Sequence, residues 1–206
     1  MGSASSEDDA PVTPVDSARR LHGDGSRNRE VVIRAYGKSD WPAVCVVHDR
    51  ARPDELAGCC DPRAFVPLAA ERSDAESFRR SRKFVACLGE KVVGFVGVDD
   101  MYVSWLYVDP DYYRRGIGRL LLRFAVELIG SGAWTICLAE NTRARHLYES
   151  EGFQVSDAFA AKNAGYPCNC VRLTLAPSTP VASGQRSSLP NKRFSRPASP
   201  TGKPER

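Results

Sequence analysis

V-S-W-L-Y-V-D-P-D-Y-Y-R-R-G-I-G-R-L-L-L-R-F-A-V-E-L-I-G, Val103 to Gly130, is the stretch whose reading decides the fold. It opens as a β-branched and aromatic run and breaks at Asp109-Pro110. A charged, glycine-bearing turn comes next, and then a helix. Ile117, Leu121, Phe124, Ala125 and Leu128 fall on one helical face, with Arg119, Arg123 and Glu127 opposite, Arg123 and Glu127 at ion-pair spacing. Gly130 and Gly132 supply the stop. The stretch predicts a strand, a turn, and a helix that starts at Arg114-Arg115-Gly116-Ile117-Gly118.

The first turn of a helix carries N–H groups without intrahelical partners and a partial positive charge. Gly116 and Gly118 let a ligand approach the backbone, and Arg114, Arg115 and Arg119 add full charge. These residues suit a phosphate or pyrophosphate. A glycine turn ahead of an ordinary core helix would carry the same residues, so the stretch alone leaves both readings open. It fits neither common nucleotide motif. No lysine followed by Ser or Thr stands after the glycines, as a P-loop requires. Leu121 occupies the place of the third glycine of a dinucleotide fingerprint, although Glu140 lies at about the right distance for its acidic residue.

Outward from this stretch the chain reads as one α/β domain with two tails. Glu30 to Tyr36 is a first strand, and Asp40 is placed to cap a helix carrying Val44, Val47, His48 and Ala51 on one face. Pro53 to Arg82 reads as a second helical region, broken at Cys60-Asp61-Pro62. Lys83–Leu88, Lys91–Val98 and Met101–Val108 form an antiparallel meander leading into the central helix. Trp134–Ala139 is a strand and Asn141–Ser150 a short helix. Phe153–Phe159 and Cys170–Ala176 close the domain as a hairpin around a loop from Asn163 to Pro167. The order β-α-α-β-β-β-α-β-α-β-β predicts a mixed sheet. The strands ending at Val108 and starting at Trp134 run parallel through a helical crossover, and the crevice at their C-terminal ends is the place for a ligand.

A hydrophobic fraction of 42% is enough for a core, and no apolar run approaches the ~20 residues of a membrane span. The segment 1–28 is rich in Ser, Asp, Pro and Arg without periodicity and is expected to lack fixed structure. The same expectation holds for 178–206, which carries six basic residues against Glu205, so the 29–177 domain is near neutral in a chain of net charge +4. The tail's charge could meet an anionic surface, but nothing in the domain points to specific nucleic acid binding. The N-terminus lacks the basic and apolar regions of a secretory signal. Seven cysteines, with no C-x-x-C pair and no histidine at zinc spacing, read as reduced thiols without a metal, in a cytoplasmic protein.

The residues resemble the GCN5-related N-acetyltransferase (GNAT) family from roughly Val31 to Leu175. Two motifs carry the resemblance. Leu106 to Leu122 is similar to the family's acetyl-CoA pyrophosphate loop, and Asn141-x-x-Ala144-x-x-Leu147-Tyr148-Glu149-x-x-Gly152-Phe153 to its distal segment. The resemblance implies acetyl-CoA as co-substrate and a GNAT-like sheet whose parallel central strands splay around it. It implies that Leu106, Tyr107 and Val108 pair with pantetheine through their backbone. Arg114, Arg115, Gly116, Ile117, Gly118 and Arg119 would cradle the pyrophosphate, Asn141 would contact the CoA arm, and Tyr148 would act as general acid at the thioester sulfur. Acetyl would pass directly to a primary amine, on a small molecule or a peptide N-terminus; a homodimer is allowed. Tyr113 stands where the family usually has Gln or Arg. Tyr102 and Ile136 stand where members place a catalytic glutamate, so no general base is inherited. Asp100 is ~20 Å of strand from Leu106, which leaves Glu140 and His48. The missing base keeps a competing reading open, a non-catalytic acyl-CoA-binding module with a partner-binding tail.

Overall fold

A computed structural model of the chain describes residues 19–20, 30–71 and 75–176. Eight strands form one sheet: β1 (Arg19–Arg20), β2 (Val31–Ala35), β3 (Arg82–Leu88), β4 (Lys91–Asp99), β5 (Tyr102–Val108), β6 (Trp134–Leu138), β7 (Phe153–Asn163) and β8 (Tyr166–Leu175). Their order across the sheet is β1-β2-β3-β4-β5-β6-β8-β7. The helices are α1 (Trp41–Leu56), α2 (Ala75–Arg80), α3 (Ile117–Ile129) and α4 (Thr142–Ser150). The order of elements expected from the sequence is the one observed, with the short β1 added. That strand pairs Arg19 and Arg20 with Ile33 and Val32. The remaining expectations for 1–28 and those for 178–206 lie outside the described residues.

β4 shows why the sheet is two-sided. Val92 to Val98 is buried without a break, the pattern of a strand covered on both faces. Val93 and Val96 join a cluster with Ile117, Leu121, Leu122 and Ala125 of α3 and Tyr148 of α4. Val92 and Phe95 join a second cluster with Val44 and Val47 of α1 and Phe78 of α2. The buried stripe of α3 is therefore Ile117, Leu121, Leu122 and Ala125, and Leu128 is exposed. Ile117, Leu121 and Ala125 hold the expected line, and Leu122 is buried beside them. Phe124 sits at the seam's edge, packing edge-on against Phe84 at 4.8 Å.

Three local readings change. Pro53 lies inside α1, which runs on to Leu56. The proline removes one ladder donor, but α1 is pinned on both sides of it, by Arg50 to Asp109 and by Glu55 to Tyr107. Beyond α1 the chain makes a 3-10 turn at Pro62–Ala64 and then the short α2, in place of one broken helical region. Asp40 precedes α1 but makes no cap bond to it; its carboxylate accepts from the Gly37 N–H and from both terminal nitrogens of Arg34. The last hairpin is longer than expected, because Ala164 and Gly165 (φ 46° and 87°) make a two-residue turn and pairing runs to Asn163 and Tyr166. Pro167 is tolerated in β8 because the ladder to β6 ends at Cys170.

Candidate active site

The site begins where the sheet comes apart. The parallel ladder of β5 and β6 is one residue pair, Tyr102 with Trp134, whose rings stack at 4.2 Å. Thr135 Oγ1 donates to the Val103 carbonyl at 2.9 Å, and beyond it the strands diverge. On the other side, β5 stays in register with β4, with Val108 opposite Gly94. The Asp109 N–H donates to the Val93 carbonyl at 2.9 Å. Antiparallel pairs alternate between bonded and non-bonded, so Val108 and Leu106 turn their backbone N–H and C=O away from β4 and into the gap. A second extended chain could pair with them there.

The turn after β5 is held by Asp109, which is 2% exposed. Its Oδ1 accepts from the Asp111 N–H at 3.0 Å, and its carboxylate meets Arg50 of α1 at 2.8 Å. Gly116 caps α3 with φ 79°, and a Cβ there would point into open space. A Cβ at Gly118 would sit 3.4 Å from Leu147 Cδ2, so a methyl group fits and a long side chain does not. These features line a cavity of about 540 Å³ between β5, the start of α3 and α4, within the usual range for a ligand site.

Leu106, Tyr107, Val108, Arg114, Gly116, Ile117, Gly118, Arg119, Asn141 and Tyr148 all line that cavity. Arg115 does not; its guanidinium lies over the Tyr112 ring at 5.0 Å. Arg119 lines the wall while its Nε meets Glu151 at 2.8 Å, and Arg123 is drawn to the same carboxylate. Asn141 Oδ1 caps α4 through the Ala144 N–H, so contact with a ligand falls to its Nδ2. Tyr113 stands under Arg143, 4.6 Å from its ring. Burial and the neighbouring Asp54 raise the Tyr113 phenol to about 12. Tyr148 is 6% exposed. Burial, then the Cys137 thiol, pushes its phenol well above the ordinary range, against a hydrogen bond with Thr135.

A second cavity of about 180 Å³ lies on the α1 side. His48 is in its wall, with Nδ1 2.8 Å from Asp49 Oδ1 and its ring edge-on to Tyr107. Burial lowers the imidazole's pKa against the pull of Asp49, so the ring is neutral near pH 7 with the proton on Nδ1. Glu140 lines neither cavity; its carboxylate faces Asn169.

Sequence reasoning missed Glu55. Its Oε2 accepts from the Tyr107 hydroxyl at 2.6 Å and meets Arg52 at 2.6 Å. Burial disfavours the Arg52 charge, but Tyr107 and Glu55 outweigh it and hold the guanidinium firmly protonated. Glu55, Ser104, Tyr107, Ile136 and Cys137 line both cavities. They mark the junction where the two share a wall. His48, Arg52 and Glu55 share one face of α1 at helical spacing, a signal that ending the helix at Pro53 concealed.

This geometry has relatives. Residues 79–155 match the acetyltransferase (GNAT) domain. The [ribosomal protein bS18]-alanine N-acetyltransferase of Escherichia coli K12 is 32% identical over 125 residues, covering 59% of this chain and 79% of the relative. The chain belongs to the GNAT family. As a GNAT enzyme it is an N-acetyltransferase; it is also similar to YafP of E. coli K12, an uncharacterized N-acetyltransferase 29% identical over 126 residues, 60% of this chain and 81% of that one. Among solved structures, a GCN5-related N-acetyltransferase from Rhodopseudomonas palustris superposes with a TM-score of 0.60 at 17% identity, over 70% of this chain and 94% of that one. The PaiA N-acetyltransferase of Thermoplasma acidophilum, in complex with coenzyme A, does so at 0.54 and 16%, over 68% and 97%. At these identities the two structures speak for the GNAT fold. Among the described residues no cluster of His, Cys, Asp or Glu could hold a metal, and no helix is long and apolar enough to cross a membrane.

Proposed function

We propose that this GNAT enzyme holds acetyl-CoA in the larger cavity, takes a primary amine in the smaller one, and transfers acetyl directly between them. The observation that carries this reading is the junction: the five residues common to both cavities sit where a thioester held along β5 would meet an amine arriving past α1. Leu106 and Val108 offer the strand edge for the pantetheine amides. The open glycine cap and first N–H groups of α3, with Arg114 and Arg119, suit the pyrophosphate. Bound acetyl-CoA supplies the activated acyl group, and the remaining steps belong to the protein.

An amine with a pKa near ~10 arrives mostly protonated, so a proton must leave before or during attack. Among the described residues Glu55 is the one carboxylate lining both cavities, and we assign it as acceptor of that proton, with Arg52 and Tyr107 fixing its position. The Val108 N–H, turned into the gap, is placed to stabilise negative charge on the carbonyl oxygen. Tyr148 returns a proton to the departing sulfur. A protein amine is the acceptor class we favour. Relatives named as acting on the alanine of ribosomal protein bS18 and on peptidyl-lysine support it, and a small amine remains the alternative.

The test is direct. Titration calorimetry should find acetyl-CoA binding by the wild type, and peptides with a free N-terminus or lysine should release free CoA thiol on turnover. Gly118→Glu, which brings bulk and negative charge to the phosphate approach, should abolish both. Absence of acetyl-CoA binding by the wild type, with tight binding of NAD or ATP instead, would overturn the reading.

A further inference from the structure

Four of the seven thiols gather in one place beside the smaller cavity, and one of them, Cys170, lines it. Cys168 and Cys170, two apart on β8, point to the same face of the sheet. There they join Leu56, Ala64 and Leu138 in a third apolar cluster that also takes in Cys59 and Cys60 from the loop after α1. Cys60 is half-buried, and its Sγ donates to the Pro167 carbonyl at 3.8 Å. Cys60 therefore lies against the residue just before Cys168, in the cluster that Cys168 and Cys170 help to build. Arg63, just beyond the same loop, lies 5.0 Å over the Tyr166 ring of the hairpin. Two parts of the chain more than a hundred residues apart thus meet in a cluster that holds four thiols.

We propose that Cys60 and Cys168 are a redox-active pair, oxidised by a low-molecular-weight disulfide to a bond that straps the loop after α1 to the β7–β8 hairpin. The other pairings are poorer. Cys168 and Cys170 are locked in one strand, about 6.6–6.8 Å apart at Cα, at the limit of disulfide geometry. Adjacent Cys59 and Cys60 would need a distorted peptide. Cys60 and Cys168 come from separate segments, and the loop can adjust. Cys60 is also the accessible member, whereas burial raises the Cys168 thiol, and burial with the neighbouring Cys168 raises Cys170 to about 12. Exposure makes Cys60 the site of first attack.

The chemistry balances in two exchanges. The Cys60 thiolate attacks one sulfur of the small disulfide, breaking its S–S bond and releasing one small thiolate. The Cys168 thiolate then attacks Cys60 of the mixed disulfide, forming the protein S–S bond and releasing the second. Two protein thiols are oxidised, one small disulfide is reduced to two thiols, and the protein protons pass to the leaving thiolates.

The bond joins two walls of the smaller cavity. The loop comes directly after α1, which carries His48, Arg52 and Glu55, and the hairpin carries Asn163 and Cys170. Oxidation should restrict the amine side and leave acetyl-CoA binding alone. That consequence rests on the proposed function; the disulfide itself does not.

The experiment uses the full chain and oxidised glutathione. Intact mass should fall by about 2 Da through loss of two hydrogens, and return with dithiothreitol. Tryptic peptides 51–63 and 163–172 should then appear linked. Cys60→Ser and Cys168→Ala should each abolish the link, while Cys59→Ser and Cys170→Ala keep it. Cys60 is half-exposed, so its variant also serves if Cys168→Ala fails to fold. Glutathione adducts without the mass loss, a Cys59–Cys60 bond, or a link that survives Cys60→Ser would each overturn the pair. A link that forms without slowing turnover of a verified amine would leave the pair standing and overturn the strap.

Discussion

At the residue scale, Glu55 lines both cavities and Tyr148 the larger one, and the proposal gives them opposite tasks. Tyr148 keeps its proton because burial disfavours the phenolate, and burial likewise makes the departing thiolate more basic than its free value near ~8.5. Tyr148→Phe keeps the ring and its tilted contact with Phe153 and removes the proton. Steady-state kinetics should show kcat lower by ~10²–10⁴-fold, the range for one general acid, with acetyl-CoA affinity nearly unchanged. Wild-type turnover by the Phe variant would make Tyr148 structural. Glu55→Gln should also slow the reaction, with a different pH signature. A missing proton acceptor matters most when the amine arrives charged, so the Gln variant's deficit in kcat/KM should shrink as pH rises towards ~10. The Phe variant's deficit should stay flat over the same range, because the raised phenol pKa leaves wild-type Tyr148 protonated throughout. Glu55→Gln also leaves Arg52, 13% exposed, without its carboxylate, so its melting temperature should fall as well. A deficit independent of pH would assign Glu55 to positioning alone.

At the element scale, the residues singled out in the sequence line the larger cavity, the half proposed for acetyl-CoA, while Glu55 on the proposed amine half went unseen, and the reason is how each half is built. The first half lies in Leu106–Arg119 and Asn141–Tyr148, contiguous stretches in which Gly116 takes the positive φ at the cap of α3. The second half is assembled by side chains of α1 reaching β5 across a gap of about fifty residues; Glu55 meets Tyr107 with no local signature at either end. The rule that proline ends a helix then hid the shared face of His48, Arg52 and Glu55. The Arg50–Asp109 pair is the link between the halves, tying α1 to the turn that starts the pyrophosphate loop. Asp109→Ala removes the acceptor for the Asp111 N–H and the anchor for Arg50. Loss of such a cap costs about 1–2 kcal/mol, and the loop it positions should loosen. Acetyl-CoA affinity measured by calorimetry should therefore fall together with the melting temperature. A variant with the lower melting temperature and unchanged affinity would show that the loop is positioned by α3 alone.

At the scale of the whole molecule, the three apolar clusters found among the described residues are built from residues between Val31 and Leu175. Both cavities are lined from within the same limits. Among the described residues, Arg19 and Arg20 are the contribution from outside that range, through backbone pairing with Val32 and Ile33 at the edge of the sheet. A net backbone hydrogen bond is worth about 0.5–1.5 kcal/mol. In a domain of this size 1 kcal/mol moves the melting temperature by roughly 2–4 °C. A chain of residues 29–177 should therefore fold, bind acetyl-CoA as the full chain does, and melt only a few degrees lower. The comparison needs calorimetry and a verified amine acceptor, because the two readouts separate different roles for the removed segments. A much larger loss of melting temperature would mean that residues before 29 or after 177 pack on the domain. Equal stability and acetyl-CoA affinity with weaker turnover of a protein acceptor would place those segments in acceptor recognition, where the six basic residues beyond 177 offer charge that the near-neutral domain lacks. In that case the deficit should vanish at high salt, where the full chain loses the same advantage.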